Sequence, residues 1–89
     1  MARTKDFYDV LLAYALVDIR ACDGPDAAAH ARAIADIFHN VPEALRLEWT
    51  EEREARIHGQ IQEKARVHGL VEKISAWEES ALRRIAASN

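Results

Sequence analysis

The chain has 89 residues, with 12 basic and 15 acidic side chains, a net charge of −3 and 49% apolar residues. That length supports one small domain of marginal stability, which self-association would strengthen. The charge removes any global attraction to nucleic acid or an anionic membrane, and no run of about 18 apolar residues is present to cross a bilayer. The lone cysteine, Cys22, has no internal disulfide partner, and no Cys/His spacing suits zinc. An acidic opening stretch stands where a secretory signal needs a basic start and an apolar core, so the expected location is cytoplasmic.

All six aspartates lie at or before Asp36 and all nine glutamates between Glu43 and Glu79. Glutamate is a good helix former, whereas aspartate competes for nearby backbone, so the second half reads as the more continuously helical. Thr4 and Thr50 each precede a helical pattern with acidic residues in its first turn, as N-caps do. The first predicted helix, 5–22, is apolar on two sides: Phe7, Val10, Leu11, Tyr14 and Val17 on one, Tyr8, Leu12, Leu16 and Ile19 on another. Both sides want cover, which predicts a central position or a second copy of the chain. Asp23-Gly24-Pro25-Asp26 ends it with strong turn chemistry.

A second helix is predicted over 25–40, with Ala27, Ala31, Ile34, Phe38 and Val41 on one stripe and Arg32, Asp36 and His39 opposite. Pro42 favours a new start, predicting a short helix over 42–48.

The remaining pattern predicts one long helix over 50–87, which would measure about 55 Å at 1.5 Å per residue. A domain this size is only about 30 Å across, so the helix must protrude or break. Ala55-Arg56-Ile57-His58-Gly59 recurs as Ala65-Arg66-Val67-His68-Gly69. Ten residues leave a helix roughly 80° short of whole turns, so the repeat is structural and not two copies of one site. Val67, Leu70, Val71, Ile74, Trp77, Ala81, Leu82 and Ile85 form one apolar stripe, from which Ile57, Ile61 and Ala65 are displaced. Gly59 and Gly69 each cost about 1 kcal/mol relative to alanine in a helix. The preferred reading is a continuous helix whose halves contact different surroundings; a kink at the glycines is the alternative.

Asp18 is the sharpest polar feature, lying on the apolar side of the first helix near Phe7, Leu11, Tyr14 and Cys22. A carboxylate there needs a partner. In a hairpin turning at Gly24, His30 is equally distant from the turn, so Asp18 and His30 are expected to meet as a buried polar pair. Cys22 nearby raises a nucleophile-and-base alternative, but no glycine-rich oxyanion loop accompanies it. The four histidines lack i, i+3 or i, i+4 spacing, and Glu-x-x-His does not occur. Glu48, Glu51 and Glu54 read as a solvated acidic turn. Arg53, Arg56, Arg66, Arg83 and Arg84 read as helix-surface ion pairs with neighbouring glutamates.

These readings predict an all-α fold: a small helical bundle with a helical hairpin packed on a long C-terminal helix, forming a homodimer. Trp49, Leu70, Ile74, Trp77 and Leu82 are the interface candidates. No catalytic group, metal or cofactor is predicted. The expected role is a small cytoplasmic interaction or regulatory protein contacting a protein partner, with no membrane association. A nucleic-acid-associated helical dimer is the alternative, and an enzyme or metal protein using Asp18, Cys22 and His30 the more remote one.

Overall fold

Thr4 and Thr50 start their helices through their own side chains: Thr4 Oγ1 accepts from the Phe7 N–H at 3.3 Å and Thr50 Oγ1 from the Arg53 N–H at 3.1 Å. Each satisfies one of the amide donors that a helix start leaves over. The computed structural model describes residues 4–88 and contains α1 (Lys5–Ala21), α2 (Ala27–Ile37), α3 (Val41–Ala44), α4 (Glu51–His68) and α5 (Val71–Ser88). There is no strand among the described residues. None of their helices is long and apolar enough to cross a membrane.

The predicted long helix over 50–87 is two helices. Gly69 adopts the left-handed region at φ +70°, its N–H donates to Arg66 O at 3.2 Å, and the Leu70 N–H donates to Ala65 O at 2.8 Å. That pair of bonds is the Schellman stop, which satisfies the last carbonyls of α4 and reverses the chain. The Ile74 N–H then reaches Leu70 O at 2.9 Å and α5 begins. The displaced apolar stripes mark this break: Ile57, Ile61 and Ala65 are buried from α4, and Ile74, Trp77 and Ala81 from α5. Gly59 lies inside α4, so the repeated pentapeptide ends a helix at one copy and continues it at the other.

The other bounds are also shorter than predicted. Gly24, at φ +88°, turns the chain so that the Ala27 N–H meets Gly24 O at 3.2 Å, and α2 starts at Ala27 and not at Pro25. It stops at Ile37, and α3 covers 41–44 where 42–48 was predicted. The cause in α3 is a tightening of the last turn: Arg46 and Leu47 N–H donate to Glu43 O and Ala44 O, three residues back, at 3.1 and 3.2 Å.

Helix α1 packs most extensively on α5, α2 on α4, α1 on α2 and α4 on α5, which closes a ring of four, and α3 lies against α4. Neighbours run antiparallel. Asn40 pairs with Gln60 while Asp36, four residues back, reaches forward to Lys64 and His68. Asp18 meets both His30 and Lys73, and Gln62 meets Glu78. The result is an up-down-up-down four-helix bundle of 39 × 26 × 22 Å.

Phe7, Tyr8, Leu11, Ala15, Ile34, Ile37, Ile61, Ala65, Ile74 and Trp77 are among the buried residues of one continuous core. The Asp18–Lys73 register puts Ala15 near the level of Trp77 and Leu11 near Ala81, small beside large, the arrangement that fills a bundle interior without voids. Phe7 packs edge-on against Tyr8 at 5.1 Å and Phe38 lies 6.3 Å from Trp77. Helix α1 is not the central helix that its two apolar sides suggested. It occupies one corner, and Leu16 and Val17 remain 43% and 60% exposed.

The two repeat glycines give a matched test. Gly69→Ala forces a side chain into the left-handed region and should lose about 1 kcal/mol or more. At Gly59 an added Cβ meets nothing within 4 Å, so Gly59→Ala should gain up to about 1 kcal/mol through helix propensity. Urea denaturation followed by far-ultraviolet circular dichroism, at a concentration low enough to keep the chain monomeric, should show these opposite signs.

Candidate functional site

Helix α2 is the element on which the polar contacts converge, because it lies between α1 and α4. At its start, His30 Nε2 is 3.5 Å from Asp18 Oδ2, and Lys73 Nζ from α5 is 3.2 Å from the same oxygen. The His30 side chain is 12% exposed and that of Asp18 34%, so the two approach as a half-buried pair and not as the buried pair expected, because Asp18 lies at the open end of the α1–α2 seam. Nε2 makes no hydrogen bond, so its contact with Asp18 is electrostatic and operates when the imidazole is protonated. The stronger link is Lys73, which ties α1 to α5 through an ammonium donating to the carboxylate.

A second group of the same composition sits farther along α2. Asp36 Oδ2 is 2.7 Å from His68 Nε2 and Asp36 Oδ1 is 3.2 Å from Lys64 Nζ, both from α4. His68 first, and then Lys64, hold the Asp36 carboxyl below its ordinary value by hydrogen bonding to the charged form. The sequence pattern placed Asp36 with His39 on an exposed polar face. His39 is exposed, whereas Asp36 is half-buried and spans the α2–α4 seam. Its partners lie 28 and 32 residues away, so their approach depends on the antiparallel docking of α2 on α4.

Beside this group a groove of about 530 Å³ runs between α2 and α4. Buried Ile37, Val41, Ile57 and Ile61 supply its apolar lining, and His39, Asn40, Arg56, Gln60, Glu63 and Lys64 its exposed polar rim. A smaller depression of about 230 Å³ shares Asn40, Arg56, Ile57 and Gln60 and extends toward Leu47 and Arg53. Leu47 is 51% exposed there. Arg53 is tethered to the Glu48 carbonyl at the entry to α4.

The interface candidates are dispersed. Ile74 and Trp77 are buried in the chain's own core and are not surface residues, because the break at Gly69 turns their face inward. Leu70 is half-buried against the same core, and half-buried Trp49 packs its ring 5.4 Å from Tyr8, fastening the segment before α4 onto α1. Leu82 alone of the five is exposed, at 44%. Cys22 is half-buried at the end of α1, where its N–H donates to Ile19 O at 3.1 Å. Among the described residues, no three His, Cys, Asp or Glu side chains are grouped so as to hold a metal ion. Glu78 is the one charged residue found buried among those described, and it accepts from Gln62 Nε2 at 2.8 Å.

The arrangement offers a polar-rimmed groove over the edge of the core, and two electrostatic seams that hold the helices in register. No protein-family model, no curated protein and no solved structure matches the chain.

The lowered value of Asp36 fixes the sign of a pH effect. A carboxyl held lower in the folded chain than in the unfolded one stabilises the fold above its unfolded value, near the ordinary 3.8, and loses that contribution as pH falls through the folded value. Wild-type protein should therefore be more stable than Asp36→Asn near neutral pH, and the two should converge as acid protonates Asp36. Urea midpoints across an acid series measure the gap, which added salt should narrow.

Proposed function

We propose that this is a small cytoplasmic interaction or regulatory protein, a homodimer that acts by presenting a helical surface to other protein. The α2–α4 groove carries the reading. It is a concave seat between two helices, with buried Ile37, Val41, Ile57 and Ile61 beneath it and an exposed polar rim of His39, Asn40, Arg56, Gln60, Glu63 and Lys64, so the rim supplies most of the contact that a packed helix would meet. Small bundles bury only a modest share of their surface, so self-association is also their ready source of additional stability. The cytoplasmic assignment draws its support from a single free thiol, Cys22, which a reducing compartment keeps unpaired.

The arginines do not favour a nucleic-acid reading. Arg56 pairs with Glu52, Arg66 with Glu63 and Arg83 with Glu79, each on its own helix. A phosphate-binding face needs cations that are not already balanced by neighbouring carboxylates.

Light scattering on untagged protein across a dilution series tests the homodimer. At the concentrated end the mass should approach twice the 10.0 kDa of the chain. A value of 10.0 kDa throughout would remove self-association from the proposal.

A further inference from the structure

The outward face of α4 carries an order of charges that the fold does not use. Glu52, Arg56, Gly59, Glu63 and Arg66 share one stripe of the helix, and all five are exposed. Within the chain the charged residues make only local pairs, Arg56 with Glu52 at 3.5 Å and Arg66 with Glu63. Read from either end about Gly59, the stripe is self-complementary in sign. Glu52 and Arg66 each stand seven residues from Gly59, and Arg56 and Glu63 stand three and four residues from it.

We propose that this face is the two-fold contact of a homodimer, with α4 packed antiparallel on α4 of a second copy and Gly59 at the axis. The proposal rests on the homodimer reading and adds its surface and symmetry. At 1.5 Å per residue, Glu52 lies about 10.5 Å from the axis and comes level with Arg66 of the second copy. Arg56 comes within about 1.5 Å of level with the second copy's Glu63. The two-fold repeats both pairs, giving four opposite-sign contacts from one stripe. Such self-complementarity is what an isologous interface requires, and a foreign partner would have no need of it.

Gly59 supplies the second argument. It sits inside a helix, where glycine is disfavoured, and an added Cβ would meet no atom within 4 Å. The single chain therefore gives no reason for glycine at this position. A helix crossing at Gly59 does, because two backbones approach most closely where neither carries a side chain. The α2–α4 groove opens beside the same residues, with Arg56, Gly59 and Glu63 on its border.

Charge exchange tests the pairing, with dimerisation constants measured by sedimentation equilibrium and folding checked by circular dichroism. Arg56→Glu and Glu63→Arg each put like charges together at two symmetry-related places, and each should weaken dimerisation on the order of tenfold. The double variant restores opposite signs across the axis and should return close to the wild-type constant. Within one helix it does the reverse, setting glutamate four residues from Glu52 and arginine three from Arg66. Rescue therefore reports contact between copies and not helix stability. Gly59→Leu should abolish the dimer while the helix content is kept. A wild-type dimer indifferent to all four variants would overturn this surface and leave the homodimer reading standing. A wild type that is monomeric at every concentration would defeat that reading itself.

Discussion

The left-handed turn at Gly69 converts a stretch too long for a small domain into two sides of a bundle, and the rest of the packing follows from it. Without the reversal, α5 would continue away from the domain and the inner faces of α1 and α4 would lose their neighbour. With it, Ile74, Trp77 and Ala81 enter the core between them. The two N–H bonds to Arg66 O and Ala65 O make the stop local, since they satisfy carbonyls that a continued helix would have bonded differently. Glycine is favoured there because φ +70° brings the Cβ of another residue close to the backbone.

Around the core, polar contacts select one alignment among several that apolar packing would tolerate. Asp18 engages α2 and α5 through His30 and Lys73, and Asp36 engages α4 through Lys64 and His68. These pairs are partly solvated, so each contributes modestly to stability. Their geometric effect is larger. Sliding α2 by one turn against α4 would separate Asp36 from His68 and also Asn40 from Gln60. Asp18 likewise serves as a register contact, engaged by Lys73 from α5 and, when the imidazole is protonated, by His30 from α2.

The same construction leaves the proposed contact surface on α4. Its inner stripe, Ile57, Ile61 and Ala65, is spent on the core, and its flanks meet α2 and α5. The outer stripe is polar, sign-alternating and interrupted by Gly59, next to a groove lined by isoleucine and valine. In the proposed dimer that stripe would supply charge pairing that sets orientation.

Local signals in the sequence determined the all-helical class, the caps at Thr4 and Thr50, the turn at Gly24 and the approach of Asp18 to His30. Each depends on residues close in sequence or on simple counting about a short turn. The break at Gly69 was legible as a change of apolar phase, yet the pentapeptide around it is nearly identical to the one around Gly59, and one of these glycines stops a helix while the other does not. Helix propensity is the same for both, so the choice lies with tertiary packing: only a reversal at Gly69 lets the stripes of α4 and α5 face one core. Tertiary structure likewise decided that Ile74 and Trp77 are interior, that α1 stands at a corner with Val17 exposed, and that Asp36 meets Lys64 and His68. Those outcomes depend on which helices become neighbours and in what register, a property of the closed bundle and of no single segment.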